Sequence, residues 1–207
     1  MQAFAHGMRG DLDEARQAGA SGLEIATNLG RRFSVAAIEE ELAELELRFG
    51  NLLEAEAGFR RSYEILEELG DEGHRSTTAA QFARVLSISG RDGEAERYAE
   101  EARSVAAEDD LASQVLGRSA QARVLAARGD LDEAERLARE AVEMFADAEA
   151  PNEQGDIWMD LAHVLRLAGK PVEARAAALE ALALFERKGN RPSTGSTRAF
   201  IEVLDTA

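Results

Sequence analysis

The chain has 207 residues, with 24 basic and 40 acidic side chains and a formal net charge of −16. Such a negative surface repels nucleic acid and anionic membranes, both of which are bound through clustered cations, so we expect neither as a partner. Cysteine is absent, which excludes disulfides and thiolate metal sites. The sequence shows no signal peptide and no apolar run long enough to cross a membrane, and we expect a cytoplasmic protein.

A repeat of about 40 residues runs along the whole chain. Its anchor is a glycine followed after four residues by Glu-Ala, and the anchor glycines are Gly10, Gly50, Gly90, Gly129 and Gly169. An alanine stands seven residues before each glycine, at Ala3, Ala43, Ala83, Ala122 and Ala162. A small residue stands twelve residues after it, at Gly22, Ser62, Ala102, Ala141 and Ala181. Small residues in fixed columns indicate close approach of two helices, so each glycine predicts the turn of a helical hairpin.

The predicted helices alternate along the chain as first and second members of these hairpins. The first members are predicted at residues 2–9, 35–49, 77–88, 113–127 and 156–168. Each second member begins after its glycine, and the five end near residues 30, 70, 109–110, 150–151 and 189–190. The hairpins are therefore predicted at residues 1–30, 31–70, 71–110, 111–150 and 151–190, with a capping helix at 194–205.

Residues that favour helix starts follow several of the turn glycines. Asp11, Asn51 and Asp130 occupy N-cap positions, each with a glutamate three residues later, as in a capping box. Pro171 stands at a first helical position, where proline is tolerated. The whole chain is thus predicted to be one all-α superhelix of about five helical hairpins.

The columns of small residues resemble the tetratricopeptide repeat. The fifth repeat is the most similar, with Trp158, Leu161, Ala162 and Leu165 in its first helix and Ala174 and Ala181 in its second. The period of 40 departs from the usual 34 and implies longer helices. The resemblance implies a solenoid that binds a protein or peptide on its concave face.

Three segments also resemble the C-terminal repeat region of large actinobacterial regulators. They are residues 66–80, residues 106–110 with 113–116, and residues 161–169. In those regulators a nucleotide-cyclase or DNA-binding domain and a signalling ATPase domain precede the repeats. This resemblance implies an alternative function, that of a detached C-terminal regulatory segment of such a protein.

Nothing in the sequence predicts catalysis, a metal or a cofactor. The three histidines, His6, His74 and His163, are not spaced as a helical metal pair, and no Gly-x-x-x-x-Gly-Lys-Ser/Thr loop is present. The glutamates of the Glu-Ala pairs recur with the repeat, which favours a helix-terminal role over an acid catalyst. Residues 70–74 are expected to be a connection between hairpins. We therefore expect a protein that is not an enzyme.

The candidate binding residues lie on the first helices, which line the concave face in such repeats. The position six residues before each of the last four turn glycines holds Glu44, Arg84, Arg123 and His163. Neighbours on the same predicted face are Arg48, Gln81, Ser119, Asp160 and Arg166. An inner row of Arg84, Arg123, His163 and Arg166 would form a positive stripe suited to an acidic peptide, unless the arginines are solvated or paired with nearby carboxylates.

The first predicted hairpin begins with a short helix at Met1, so apolar residues such as Leu12, Leu23 and Ile25 are expected to lack an upstream cover. The end of a repeat array is its weakest part, and exposed apolar surface favours association. We therefore expect a homodimer through the N-terminal hairpin or high mobility there.

Overall fold

The computed structural model describes residues 2–105 and 110–206. These residues form eleven α-helices joined by short turns and contain no strand. The all-helical superhelix predicted from the repeat is confirmed. Part of the regulator-like segment at 106–110, and the predicted end of a helix at residue 109, lie outside the described residues. The helices are α1 (Gln2–Met8), α2 (Leu12–Asn28), α3 (Arg32–Arg48), α4 (Leu52–Leu69), α5 (Glu72–Ile88), α6 (Asp92–Val105), α7 (Leu111–Arg128), α8 (Leu131–Met144), α9 (Pro151–Leu167), α10 (Pro171–Lys188) and α11 (Arg191–Thr206).

The turns of the hairpins lie at the predicted glycines. All five anchor glycines have a positive φ, for example +80° at Gly50, a conformation that side chains with a Cβ disfavour. After Gly50, the Asn51 N–H donates to the carbonyl of Glu46 at 2.9 Å and satisfies one of the last carbonyls of α3. The glycine columns therefore place the helix ends correctly.

The predicted capping boxes are wrong, although the helices start where expected. The side chains of Asp11, Asn51 and Asp130 make no capping hydrogen bond. Asn51 instead donates from Nδ2 to Glu46 Oε2 at 2.7 Å, so its side chain bonds to Glu46 rather than to the backbone of α4. Side-chain caps occur at Asp71 and Asp110, which accept from the backbone N–H three residues later.

Several helices begin earlier than the apolar pattern predicts. The structure starts α5 at Glu72 rather than 77 and α9 at Pro151 rather than 156. Their first turns are polar, so they carry no apolar periodicity, but the Asp71 cap and the proline at Pro151 favour helix at these points. As a result, the connection expected at residues 70–74 shortens to Gly70 and Asp71.

The small-residue columns form the seams between helices. The alanines of the Glu-Ala pairs, which are Ala15, Ala55, Ala95, Ala134 and Ala174, are all 0% exposed. The columns before and after the glycines are likewise buried, except that Gly22 is half-buried. A methyl-sized side chain lets the two backbones approach, and a larger one would separate them.

The array curves until its last helix reaches its beginning. Arg48 at the end of α3 donates from Nη1 to Ser193 Oγ of α11 at 3.0 Å. Beside it, Arg191 donates to the carbonyl of Arg9 at 3.3 Å. The odd-numbered helices α3, α5, α7 and α9 are thereby brought to face one another across the interior. Along the residues described, no helix combines the length and apolarity needed to cross a membrane.

The first hairpin is only partly covered. Met8 of α1 is buried and Leu12 and Leu23 are half-buried, whereas Ile25 is 61% exposed. Of the three apolar residues expected to lack cover, Ile25 is the exposed one. The homodimer through this hairpin stays a prediction.

Candidate functional site

All nine candidate binding residues lie on the odd-numbered helices, on the surface that we call the inner face. The four helices contribute them in order: Glu44 and Arg48 from α3, Gln81 and Arg84 from α5, Ser119 and Arg123 from α7, and Asp160, His163 and Arg166 from α9. Their contacts show which of them come together.

Asp160 gathers three of these side chains around one carboxylate. Its Oδ1 accepts from Arg84 Nε at 3.0 Å and from Arg123 Nη1 at 3.1 Å, and its Oδ2 accepts from Ser119 Oγ at 2.8 Å. Asp160 is only 2% exposed. The buried carboxylate therefore accepts three hydrogen bonds and links α5, α7 and α9.

Arg48 forms the second centre of the inner face. Its guanidinium donates to Asp156 Oδ2 at 2.7 Å and Oδ1 at 3.2 Å, and it also pairs with Glu44 one turn away. Together with the bond to Ser193, these contacts hold a side chain that is 4% exposed. Arg84 lies 3.6 Å from Asp156 and links this centre to Asp160.

Gln81, His163 and Arg166 lie beside the groups of ion pairs around Asp160 and Arg48. Gln81 donates from Nε2 to Glu40 Oε1 at 3.3 Å. The ring of His163 lies against Phe200 of α11, with centroids 4.5 Å apart. Arg166 is exposed, and its guanidinium stands 6.0 Å from the centre of the same phenylalanine ring.

Burial and neighbouring charges act in opposite directions on these groups. Burial tends to raise the pKa of Asp160, but the guanidiniums of Arg84 and Arg123 outweigh it, so the pKa is lowered. At Glu44 burial prevails over the attraction of Arg48 and raises the pKa. Burial lowers the pKa of Arg123, an effect that Asp160 only partly offsets.

His163 is a neutral side chain in this setting. Burial is the largest cause that lowers its pKa to about 3, and the charge of Arg123 acts in the same direction. At neutral pH its imidazole can therefore donate or accept a hydrogen bond without carrying charge.

The expectation of a free positive stripe needs correction. Of its four members, Arg84 and Arg123 donate to Asp160 of the same chain, and His163 is neutral. The neighbouring Arg48 is likewise paired with Asp156. A buried guanidinium without a carboxylate would be costly, which explains why the pairing is internal. Pairing with nearby carboxylates was the alternative to the stripe, and it is what these arginines show.

Two adjoining cavities lie beside these ion pairs. The inner cavity has a volume of about 60 Å³, and the residues that line it include Glu44, Arg48, Gln81 and Asp160. The outer one, which we call the mouth cavity, has about 390 Å³ and opens between the end of α3, the end of α5, and the facing sides of α9 and α11. Arg48, Arg84 and Asp156 line both cavities.

Asp156 and α11 contribute to the inner face although neither was predicted to do so. The spacing of Asp156 and Asp160, one turn apart on α9, was a usable signal for a doubly acidic face. The contacts of Ser193 and Phe200 with this face carried no signal, because they depend on the closure of the array.

A small acidic group stands apart from the inner face. His6, Asp11 and Glu14 bring their ligand atoms within 4.8 Å of one another, and this is the one potential metal-ligating cluster among the described residues. Asp11 and Glu14 are exposed, and exposed carboxylates commonly cluster without a metal.

Family models of the tetratricopeptide repeat match residues 34–108 and 122–147. The chain carries tetratricopeptide repeats. These matches indicate no catalytic family. A comparison with curated proteins finds no match.

Solved structures share the fold of the chain at low sequence identity. A variant of the nearly identical TPR-like repeats of a Podosopora anserina protein, described as a kinesin light chain, is 20% identical with a TM-score of 0.60. That match covers 90% of this chain and 92% of the other. A Rap protein complexed with competence and sporulation factor is 16% identical with a TM-score of 0.71. It is matched over 93% of this chain but only 53% of its own length. BtubC from P. vanneervenii is 15% identical with a TM-score of 0.55, over 92% of this chain and 89% of the other.

Proposed function

We propose that the chain is a protein-interaction module whose inner face receives a peptide or a segment of a partner protein. The observation that carries this proposal is the enclosure of polar side chains from four repeats around one pair of cavities. Concave sites with a few convergent polar groups are the usual form of a ligand site. The Rap neighbour, which was solved with competence and sporulation factor, supports the same type of function.

The partner we propose is acidic, but it meets an inner face whose guanidiniums are already paired. A carboxylate of the partner would share Arg84, whose side chain is 20% exposed at the mouth cavity, rather than Arg48, whose side chain is 4% exposed. A regulatory domain on the same polypeptide, as in the actinobacterial regulators, would use the same face.

Photo-crosslinking from a single position tests this proposal. We would replace His163, which lines the mouth cavity, with a photo-reactive phenylalanine and irradiate cells of the natural host. The expected result is one discrete adduct, whose protein component then binds the purified chain. The matched control carries the same group in place of Val172, an outer residue that is 81% exposed.

Adducts of equal yield from both positions, or from Val172 alone, would refute the inner face as the binding surface. A variant with Arg84→Met and the crosslinker at position 163 should lose the adduct, provided that its helical circular dichroism matches that of the parent.

A further inference from the structure

A groove of about 720 Å³ lies between the two ends of the array, and we call it the junction groove. Its apolar lining consists of Phe4, Ala5 and Met8 of α1. Lys188 and Gly189, at the end of α10, line it as well. Ala5, Lys188 and Gly189 are exposed and Phe4 is half-buried, so this surface is accessible to a partner.

Three cationic side chains at the junction groove have no acidic partner. Arg9 and Lys188 line the groove, and Arg191 lies beside them, because its Nη1 donates to the Arg9 carbonyl at 3.3 Å. All three side chains are exposed, and none of them forms an ion pair with a carboxylate of residues 2–105 or 110–206. Their charges are therefore available to a bound group.

This local excess of cations is unusual for the chain, whose acidic side chains outnumber the basic ones by 40 to 24. Elsewhere an exposed arginine such as Arg136 pairs with two carboxylates, those of Glu133 and Glu140. Among the described residues, the one carboxylate that lines the junction groove is that of Glu41, and its Oε1 accepts from the Phe4 N–H at 2.8 Å. Three unpaired cations thus accompany one engaged carboxylate, and the groove is positively charged.

Helix ends explain only part of this arrangement. Lys188 lies in the last turn of α10 and Arg9 follows the end of α1, where the helix dipole favours cations. Arg191 is the first residue of α11, where the same dipole disfavours a cation. Its bond to the Arg9 carbonyl depends on the closure of the array. Closure therefore brings three cations together from the ends of α1 and α10 and the start of α11.

We propose that the junction groove binds a short acidic segment of a partner protein, in which carboxylates flank an apolar side chain. The apolar side chain packs against Phe4 and Met8, and the carboxylates pair with Arg9 and Lys188. A chain of net charge −16 repels an acidic partner at long range, so a local group of unpaired cations is what can hold one.

This site is separate from the inner face. Among the described residues, the junction groove and the mouth cavity have no lining residue in common. The proposal therefore does not rest on the binding of a partner at the inner face. A segment that contacts both α1 and the end of α10 binds the closed array and stabilises it.

Methyl NMR on ¹³C-labelled methionines tests the proposal and distinguishes it from binding at the inner face. Met8 lines the junction groove, Met159 lines the mouth cavity, and Met144 at the end of α8 lines neither. The probe is the acetylated and amidated peptide Glu-Glu-Leu-Glu-Glu, and its neutral control is Gln-Gln-Leu-Gln-Gln with the same ends. The expected result is a saturable shift of the Met8 signal and an unchanged Met144 signal. The affinity of the control should be at least about tenfold weaker, because charge-assisted bonds are lost.

The two binding surfaces give different outcomes. A Met8 shift specific to the acidic peptide supports the junction groove, whether or not Met159 shifts as well. A shift of Met159 alone would place the acidic segment at the inner face, which overturns this proposal and leaves the proposed function intact. Equal affinity for the two peptides, or no shift of Met8 at millimolar peptide, would also overturn it.

Two lysine variants with the same change of charge provide a matched comparison. Lys188→Glu places a like charge at the groove and should weaken binding of the acidic peptide at least about tenfold. Lys170→Glu makes the same change at the other end of α10, about 27 Å away at 1.5 Å per residue and beyond the screening length, and should alter the affinity by no more than about twofold. Equal weakening by both variants would mean that the total charge governs binding, and the assignment to the junction groove would be wrong.

Discussion

The helix seams bury one kind of side chain in every repeat, whereas the inner face buries charged side chains that differ from repeat to repeat. At the seams, Ala134 and Ala174 occupy equivalent positions and are both fully buried. On the inner face, Arg48 and Asp156 pair across 108 positions of sequence. The seams thus depend on neighbouring helices, and the inner face depends on the closure of the whole array.

The largest difference between the two regions should appear when one buried charge is removed. Asp160→Ala leaves the guanidiniums of Arg84 and Arg123 without their shared carboxylate, and we expect a loss of about 3–5 kcal/mol in the free energy of unfolding. Urea denaturation followed by circular dichroism measures it. The control is Glu140→Ala, which removes an exposed pair with Arg136 and should cost only about 0–1 kcal/mol. Equal costs for the two variants would mean that the inner pairs are not buried.

A substitution at a helix seam should cost less stability than the loss of a buried charge, and its cost should depend on the size of the new side chain. Ala174→Leu forces a larger side chain between α10 and α9, with an expected cost of about 1–3 kcal/mol. Ala176→Leu places the same side chain two residues away at an exposed position of the same helix. A melting temperature of Ala174→Leu that matches that of Ala176→Leu would contradict the assigned seam.

The seams and turns could be predicted from the sequence, because each depends on a residue type that recurs in every repeat. The glycine at Gly50 and the alanine at Ala174 show this directly. The ion pairs of the inner face could not be assigned in the same way, since a column identifies the face on which Arg48 lies but not its partner 108 positions away. The prediction of capping boxes was wrong for a local reason, since the Asn51 side chain donates to Glu46 instead of capping its own helix.

Glycines inside helices provide a smaller test of the seams. A Cβ at Gly58 would stand 2.8 Å from the Ala43 Cβ and 3.1 Å from the backbone oxygen of Glu39, so Gly58→Ala should destabilise the protein. At Gly195 in α11 nothing lies within 4 Å, and Gly195→Ala should raise the free energy of unfolding by about 0.5–1 kcal/mol through helix propensity. Thermal melts should therefore shift in opposite directions, and a shared direction would count against the close packing of α3 and α4.

The pH dependence of stability should show two opposing contributions from inner positions. Burial raises the pKa of Glu40 from 4.5 to about 7, so the folded state binds a proton more tightly than the unfolded state does. The contribution of this proton to the free energy of unfolding is lost as pH rises through that range. The pKa of His163 is lowered from 6.5 to about 3, so its contribution is lost as pH falls below 6.5. Between pH 4.5 and 6.5, Glu40→Gln should make stability rise more steeply with pH, and His163→Gln less steeply. Urea midpoints at several pH values test this, and unchanged slopes would refute both assignments.

The closure of the array supports both the inner face and the mouth cavity, and a distance between its two ends tests it most directly. The sequence has no cysteine, so Ala5→Cys and Lys188→Cys provide two unique sites for spin labels on exposed positions of α1 and α10. These two residues line one groove between the ends of the array. Pulsed electron–electron double resonance should give a narrow distribution of short distances between the two labels. The distribution should broaden and move to longer distances when Arg48→Met removes the hydrogen bonds to Asp156 and Ser193. A broad, long distribution in the parent, or one that Arg48→Met leaves unchanged, would contradict a closed array held at Arg48.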